Sequence, residues 1–298
     1  MSELGEGPEV SVIIPAWFSQ ETVAGCLESL RRQSFTHFET ILVDSSPNLE
    51  TATLVGNRFP EVRLHHHPRR LLPHAARNLG AQLARGRILV FTDPDCFMQP
   101  DWLELLMAAH REGRQAVAGS VGCQGSRWFF RGVHLTKYAW WLPGGEPGYR
   151  PDIPTANASY ARKLWDVIGP FREDCFCGDT LLSWRLASEG CRPWFEPRAI
   201  VIHHHTCTWG EFLSERFRRG HDFGLVRPRE QGWSRLRCMA YAAAFPAVAM
   251  VMTVRAVRYA RTGQQLTSML AVMPVALAGY LARCAGEALA HWRLAWSR

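Results

Sequence analysis

The sequence predicts an α/β fold in which a doubly wound, mostly parallel sheet is followed by a pair of apolar C-terminal helices. Short runs rich in β-branched residues, typical of buried parallel strands, alternate with helical segments across residues 10–121. Asp93-Pro94-Asp95 directly follows one of these runs, at the kind of strand end where open α/β sheets bind ligands. Two long uncharged segments near the C terminus have almost the length of membrane helices.

Strand and helix patterns alternate regularly in the first part of the chain. Each expected strand is short and mostly apolar, and breakers such as Ser45-Ser46-Pro47-Asn48 end the runs. The strands are expected at Val10–Pro15, Phe38–Asp44, Val62–His65, Ile88–Thr92 and Ala116–Val121. Apolar stripes such as Val23, Cys26, Leu27 and Leu30 indicate helices, and Asp101 is a suitable N-cap for the last of them. The helices are expected at Glu21–Gln33, 49–58, His74–Ala84 and Asp101–Glu112.

Residues 122–160 show neither pattern. They combine Trp and Phe with many Gly and Pro, which favours an irregular lid or groove over regular sheet. Beyond them, Asp179–Ser188 has a helical pattern ended by Gly190, and Ala199–His203 is an apolar late strand.

Charge and hydropathy change along the chain. Residues 1–209 contain 21 basic and 22 acidic side chains, net −1, whereas residues 210–298 contain 13 and 5, net +8. The basic part includes segments 238–254 and 264–282, which are uncharged over 17 and 19 residues and contain Pro246 and Pro274. A basic, apolar region favours anionic lipid over nucleic acid as the partner.

We therefore predict a globular α/β part, residues 8–225, and a basic, apolar, membrane-associated helical tail, residues 226–298. Two full spans, a shallow re-entrant hairpin and a buried helical pair all fit the tail. No signal peptide is visible, and the nine cysteines show no disulfide framework. We expect the α/β part to lie on the cytoplasmic side of a membrane, with reduced thiols.

Asp93 and Asp95 are the strongest candidates for a binding site. Two carboxylates one residue apart supply the oxygen ligands that Mg²⁺ prefers when it binds together with phosphate oxygens. A solvated Asp-Pro-Asp turn is the alternative, because both residue types favour turns. No GxGxxG follows the first strand and no GxxxxGK[ST] is found, which argues against NAD and P-loop nucleotide sites.

Three further residues and one histidine triplet could carry chemistry. Asp44 ends the second strand, where a carboxylate can accept hydrogen bonds from a base or a ribose. Arg77, in a helix expected to begin near the metal site, is a candidate to neutralise phosphate. Asp179 is either a helix N-cap or an exposed general base, and the sequence does not choose between them. The triplet His203-His204-His205 follows a strand and offers a further metal ligand.

Together these residues resemble the family 2 nucleotide-sugar glycosyltransferases of the GT-A fold, over roughly residues 8–225. VSVIIPAW is similar to the family's opening strand, FETILVDSSP to its base-reading strand, and AARNLGAQLARGRILVFTDPDC to the stretch leading into the DxD motif. NASYARKLWDVIGPFRED and CGDTLLSWRLASEG resemble the acceptor region and the helix with the catalytic aspartate. Two positions depart from the pattern: Ser45 stands where many members have a second aspartate, and Gly178 where many have glutamate.

The resemblance implies a metal-dependent, inverting glycosyltransferase. It would move a sugar from a nucleoside diphosphate sugar to a hydroxyl acceptor that is lipid-linked or close to a membrane. Asp95, Asp93 and His203 would hold Mg²⁺ or Mn²⁺, and Asp179 would be the catalytic base. Donor contacts are expected from Pro15, Ala16, Trp17, Asp44, Arg77 and Asp93, and acceptor contacts from Asn157, Trp140, Trp141 and Gly178.

Two other functions stay open at this point. A sugar-phosphate nucleotidylyltransferase would use a similar sheet and paired carboxylates, but residues 16–22 lack the glycine and basic side chains expected to bind a triphosphate. A catalytically degenerate domain, serving as a membrane-bound binding subunit, is consistent with Ser45 and Gly178. The three retained aspartates argue against it.

Overall fold

The computed structural model describes residues 7–125, 127–262 and 265–296. Its strands are β1 (Val10–Ala16), β2 (Phe38–Asp44), β3 (Arg63–His66), β4 (Ile88–Thr92), β5 (Cys96–Met98), β6 (Ala116–Cys123), β7 (Gly148–Tyr149), β8 (Asn157–Ala161) and β9 (Trp194–His203). Its helices are α1 (Val23–Arg31), α2 (Glu50–Arg58), α3 (Pro73–Leu83), α4 (Trp102–Arg111), α5 (Trp128–Tyr138), α6 (Arg162–Ile168), α7 (Gly178–Ser188), α8 (Trp209–Glu230), α9 (Arg235–Ala243), α10 (Phe245–Thr262), α11 (Leu266–Ala271) and α12 (Met273–Trp296).

The strands form one mixed sheet in the order β3-β2-β1-β4-β8-β6-β9-β5, with β7 paired to β9. The half made by β3, β2, β1 and β4 is parallel. Its inner strands are buried because helices cover them, which explains their continuous apolar runs. The α/β fold is confirmed, and the strands and helices predicted between residues 10 and 121 are found within two residues of their predicted ends.

The expectation of an irregular lid at residues 122–160 is wrong, because the segment contains α5 and β8. Strand β8 lies inside the sheet, antiparallel to both β4 and β6. Its sequence, Asn-Ala-Ser-Tyr-Ala, has no apolar run, and its polar residues are buried through hydrogen bonds. Helix α5 is rich in aromatic residues of modest helix propensity. It is stabilised by packing on α12, where a Cβ at Gly132 would lie 2.4 Å from Val275.

Close packing divides the chain into two compact units. The first contains almost all of the sheet and comprises residues 1–122, 146–174 and 178–204. The second contains α5 and α8–α12 and comprises residues 123–145, 175–177 and 205–298. The predicted boundary at 225/226 falls inside α8 and does not coincide with a boundary between the two units. The division into a catalytic part and a membrane-associated tail stays a prediction.

Helices α8 and α12 lie in backbone contact within the second unit. A Cβ at Gly220 of α8 would lie 1.9 Å from the carbonyl oxygen of Arg283, and one at Gly286 of α12 would lie 2.1 Å from that of Phe217. Only glycine permits so close an approach. Helix α12 also packs with α10 and α11 in an apolar cluster that includes Ala256. The C-terminal helices are therefore present as predicted, but α12 is also a core helix of this unit.

Neither long apolar segment forms one continuous helix. Residues 238–254 are divided between α9 and α10, and residues 264–282, of which Gln264 lies outside the described residues, between α11 and α12. Pro246 and Pro274 each occupy the second position of a new helix, where the missing N–H has no intrahelical partner to lose. The two prolines, which are central in the apolar segments, therefore lie at the starts of helices and not in their middles.

The described residues contain no single helix that is both long and apolar enough to cross a bilayer. Helix α9 and residues 245–261 of α10 meet the criterion only as a pair, with a bend of 69° between them. Only the length and the composition of these two helices support a membrane-crossing role for the pair.

Candidate active site

The carboxylates of Asp93 and Asp95 lie beside an imidazole at the carboxyl end of β4. Asp95 leads into β5, and the antiparallel register of β5 with β9 places Cys96 opposite His203. This pairing brings Nε2 of His203 to 3.6 Å from Oδ2 of Asp95. Ligand atoms of Asp93, Asp95, Cys96 and His203 all lie within 4.8 Å of one another, close enough to surround one cation.

The donor set of this cluster suits Mg²⁺ or Mn²⁺. Carboxylate oxygens satisfy both ions, and an imidazole nitrogen is a ligand for the softer of the two. The side chain of Asp95 is 32% exposed, which leaves access for a ligand's own oxygens. Burial raises the pKa of Cys96, and the charges of Asp95 and Asp93 raise it further, so this sulfur is a neutral thiol. The structure thus brings the three predicted metal ligands together.

Arg77 is placed differently from its prediction. Its side chain is buried, and Nη2 donates a hydrogen bond to Oδ1 of Asp93. The guanidinium therefore lies against a carboxylate, and its contact with a phosphate stays a prediction. Removing one partner of so buried a pair would leave the other charge uncompensated. Arg77 is thus a positioning residue that fixes Asp93 in the cluster.

The histidine triplet separates into three environments. His203 lies in the metal cluster. The ring of His204 packs against Phe97, with centroids 5.9 Å apart, and the backbone N–H of His204 donates to the backbone carbonyl of Asp95. His205 belongs to the second unit, where it contacts His134. Only His203 is therefore placed to ligate a metal beside Asp95.

Asp44 is fully buried and its carboxylate is engaged inside the protein. Oδ1 accepts hydrogen bonds from the N–H and hydroxyl of Ser46, at 3.1 and 2.6 Å, and Oδ2 lies 3.2 Å from Nδ1 of His66. The Ser46 hydroxyl in turn accepts from the N–H of Phe18. The predicted direct contact of Asp44 with a base is therefore corrected, because Asp44 organises the loops that follow β1 and β2. Sequence reasoning missed Ser46, although its position two residues after an aspartate is a typical Asx-turn signal.

The loop after β1 presents aromatic surface at this edge of the sheet. Pro15 and Ala16 are buried at the strand end, and the partly exposed ring of Trp17 lies 4.7 Å from the guanidinium of Arg70. Phe18 is 47% exposed and adopts a φ of 48°, a left-handed conformation that is uncommon for an aromatic residue. Such strain clusters at ligand-binding positions. No feature of the sequence indicated Phe18 or Arg70.

Asp179 is the second residue of α7, inside the first turn rather than at the N-cap. Its Oδ1 accepts a hydrogen bond from the N–H of Thr180 at 2.8 Å, and the side chain is partly exposed. The nearby Tyr160 hydroxyl is buried and lacks a hydrogen-bond partner among the described residues. Burial raises the pKa of Tyr160 well above its ordinary value, the charge of Asp179 raises it further, and Arg77 lowers it. Asp179 and Arg77 therefore act electrostatically on one buried hydroxyl, which sequence reasoning did not identify.

Gly178 lies against a histidine ring instead of offering an acidic contact. A Cβ at Gly178 would lie 2.8 Å from Cδ2 of His74 and 2.7 Å from the carbonyl oxygen of Arg172. The His74 ring also packs on Phe171, with centroids 5.0 Å apart. The space that a glutamate side chain would need is thus filled by α3. His74 was missed, although it shares a helix face with Arg77 three residues later.

The other predicted acceptor residues make contacts within the protein. Asn157 is fully buried: its amide donates to the carbonyls of Ser120 and Ala199 and accepts from Nε1 of Trp102. It is a structural residue of β8, which corrects its assignment to the acceptor. Trp140 belongs to the second unit and stacks on Tyr259 at 4.7 Å, and the Trp141 ring lies 6.2 Å from it. Both tryptophans are only partly exposed.

Comparison with known proteins gives a consistent result. The model of the family described as Glycosyl transferase family 2 matches residues 11–171. The chain is 23% identical over 227 residues to the glycosyltransferase AglE of Haloferax volcanii, covering 72% of each chain. It is 33% identical over 108 residues to EpsH of Bacillus subtilis (strain 168), which is 34% of this chain and 30% of EpsH. The chain therefore spans less than a third of some relatives.

Solved structures share the fold. A mannosyltransferase, PcManGT from Pyrobaculum calidifontis, in complex with GDP-Man and Mn²⁺, superposes with a TM-score of 0.56 at 19% identity. The superposition covers 91% of this chain and 87% of that one. At this identity the likeness establishes the architecture, including both the sheet and the helices that follow it.

Proposed function

Since this chain belongs to glycosyl transferase family 2, we propose that it moves a sugar from a nucleoside diphosphate sugar to a hydroxyl acceptor in a metal-dependent reaction. The observation that carries the proposal is the cluster of Asp93, Asp95 and His203 at the carboxyl edge of the sheet. The structural relative bound to GDP-Man and Mn²⁺ supports a nucleotide-sugar donor and a divalent ion.

Asp95, Asp93 and His203 would hold the ion, with Arg77 keeping Asp93 in place. A divalent ion bound there supplies Lewis-acid stabilisation to the diphosphate as it leaves. The aromatic surface of Trp17 and Phe18 is suited to the base of the donor, because aromatic faces stack on nucleobases. Asp44 would act indirectly, by fixing this loop.

Asp179 is the general base of the proposed reaction. Its Oδ1 already accepts from Thr180, so Oδ2 is the oxygen that takes the proton of the acceptor hydroxyl. Its negative charge is stabilised in the first turn of α7 by the helix dipole. A single displacement assisted by one base inverts the configuration at the sugar carbon, and we include inversion in the proposal.

Donor binding tests the metal cluster. We would titrate UDP-, GDP- and dTDP-sugars with Mn²⁺ into the full-length protein by calorimetry. Asp95→Asn is expected to lose metal-dependent binding, because it removes one anionic ligand. Asp166→Asn, on the exposed surface of α6, is the matched control and should bind as the wild type does. Equal donor binding by the two variants would refute the metal assignment.

Transfer tests the base. Asp179→Asn is expected to keep donor binding and to lower the transfer rate by about 10²–10⁴-fold, because it removes only the proton acceptor. The stereochemistry of the product, read by NMR, tests inversion. Donor binding without transfer in the wild type would favour the alternative function of a catalytically degenerate binding subunit. The glycine at position 178 and the burial of Asp44 are consistent with that alternative.

We also propose that the second unit binds a membrane and that the acceptor is lipid-linked or close to it. Among the described residues, 17 large apolar side chains are exposed, and 11 of these lie between residues 236 and 296. Residues 235–261 also carry five arginines and no acidic residue. An apolar surface flanked by arginine suits anionic lipid. The exposed apolar residues of α9 and α10 are Leu236, Met239, Tyr241, Met250, Val251 and Val254.

The nine cysteines are free thiols, which supports the cytoplasmic side of that membrane. Co-sedimentation with vesicles, with and without anionic lipid, tests the membrane proposal. Met250→Glu, at a position 56% exposed on α10, should weaken binding, whereas Val167→Glu, at a position 65% exposed in the first unit, should not. Equal sedimentation of both variants with the wild type would refute it.

A further inference from the structure

A second group of potential metal ligands lies within the second unit. Cys123 at the end of β6, His134 on α5 and His205 after β9 place one ligand atom each within 4.8 Å of the others. His134 and His205 are buried, 2% and 7% exposed, and Cys123 is partly exposed. Three different segments of the chain therefore bring a sulfur and two imidazoles to one point.

The spacing of the two ring nitrogens fits a tetrahedral ion. Nδ1 of His134 lies 3.1 Å from Nε2 of His205. Two nitrogens bound at about 2.05 Å in tetrahedral geometry are about 3.3 Å apart, and a bound sulfur and nitrogen about 3.6 Å apart. The nitrogens are already at nearly this separation, so the site could close on an ion by small side-chain movements.

The donor types identify the class of ion. One thiolate with two imidazoles is a soft to borderline set, which selects Zn²⁺ and related transition metals over Mg²⁺. The cluster of Asp93, Asp95 and His203 has the opposite preference, because carboxylate oxygens dominate it. The two groups therefore discriminate between ions by ligand chemistry.

We propose that Cys123, His134 and His205 form a Zn²⁺-class metal site, distinct from the metal cluster of the proposed active site. Three protein ligands leave the fourth position to water or to a small ligand. Binding releases the thiol proton of Cys123, and the two rings keep their remaining protons on Nε2 of His134 and Nδ1 of His205. The site links the end of β6, helix α5 and the chain after β9.

A simple hydrogen bond between the two imidazoles is the competing explanation. One ring nitrogen would donate to the other at 3.1 Å, and the sulfur of Cys123 would make only weak contacts with backbone carbonyls, at 3.7 and 4.0 Å. This alternative predicts no metal binding that depends on the thiol, which makes the two explanations separable.

Co²⁺ is the probe that separates them, because a thiolate bound to Co²⁺ gives a charge-transfer absorption that oxygen and nitrogen ligands do not. We would titrate Co²⁺ into the reduced, metal-stripped, full-length protein. The expected result is a thiolate absorption that saturates at one ion per chain. Zn²⁺ should abolish it, and excess Mg²⁺ should leave it unchanged.

Variants assign the signal to this site. Cys123→Ser should lose the absorption, and His134→Gln should weaken Co²⁺ binding by at least about 100-fold, since even an outer-shell change costs about 10- to 100-fold. Cys207→Ser is the matched control, because Cys207 is a partly exposed thiol of the same unit outside the group. Asp95→Asn should also keep the absorption. A folded wild type without the absorption, or a Cys123→Ser protein that retains it, would overturn the proposal.

Discussion

His110 links α4 to strand β8 and makes the stability of the first unit depend on pH. Its Nδ1 lies 2.7 Å from the carbonyl oxygen of Arg114, which can only accept, so Nδ1 carries the proton. Nε2 then accepts from the hydroxyl of Ser159, 2.8 Å away. Burial lowers the pKa of His110 from 6.5 to about 4, and the Arg114 carbonyl opposes that change. His110 is therefore neutral in the fold where the unfolded chain binds a proton.

The sign and size of the effect follow from these values. Because the folded pKa lies below the unfolded one, the stabilising effect of neutral His110 is complete above about pH 6.5 and is lost as the pH falls towards about 4. One pKa unit corresponds to about 1.4 kcal/mol, so the full loss is up to about 3 kcal/mol. At about pH 5 the free energy of unfolding should already be lower by about 2 kcal/mol from this residue alone.

Urea denaturation at about pH 7.5 and about pH 5 measures this loss. His110→Gln should be less stable than the wild type at the higher pH. Between the two pH values, however, its free energy of unfolding should fall by about 2 kcal/mol less than that of the wild type. Burial also lowers the pKa of His291, in the second unit, to about 4, so this residue adds to the pH dependence of both proteins. The test is therefore the difference in pH dependence between the wild type and His110→Gln. His37→Gln, at an exposed position, is the control. An unchanged pH dependence in His110→Gln would show that the protonated ring is tolerated and refute the reasoning.

Three further substitutions test the placements described above. Gly178→Ala should lower stability by about 1–3 kcal/mol, because its Cβ meets a carbonyl oxygen at 2.7 Å, whereas Gly56→Ala, with nothing within 4 Å, should not. Asn157→Ala should cost about 1–3 kcal/mol for each buried group left without a partner, as measured by thermal denaturation. Arg77→Met should weaken Mn²⁺-dependent donor binding by freeing Asp93, and a variant that binds normally would contradict the positioning role.

Sequence reasoning was sufficient where a single local pattern determined the structure. The parallel strands were predicted because each is an apolar run between breakers, and α3 because its composition favours helix. Strand β8 was not, since residues such as Asn157 and Ser159 are buried by long-range hydrogen bonds that no local pattern records. Helix α5 was missed because its stability comes from tertiary packing, for which Gly132 is needed.

The same distinction holds for the site. The grouping of Asp93 and Asp95 follows from two positions in one short segment, and His203 joins them through the register of β5 with β9. The roles of Asp44 and Arg77 could not be inferred in this way. Their side chains point to internal partners, and whether a carboxylate or a guanidinium is open to a ligand depends on burial, which composition and spacing do not determine.

Helix α3 connects the metal cluster to the proposed base. Its residues His74, Arg77 and Asn78 share one face, being three and four positions apart. Arg77 holds Asp93, and Asn78 binds the backbone of Phe171 in both directions, donating to its carbonyl and accepting from its N–H. A reacting site needs its groups held within about 0.5 Å. A single rigid helix can hold both the loop that contains Asp93 and the loop that contains Phe171 in place, although the two loops are distant in sequence.

His74, on the same face, explains why the chain keeps Asp179 without an acidic neighbour. The ring packs directly against Gly178, so a longer side chain at that position would displace either the ring or the carbonyl of Arg172. Gly178 and His74 therefore form one packed contact, in which the ring needs a residue without a side chain at position 178. Restoring a glutamate at 178 alone would disturb α3 and, through Arg77, the cluster that holds the metal. The departure from the family pattern at Gly178 thus has a packing reason within this chain, and it does not by itself indicate a lost activity.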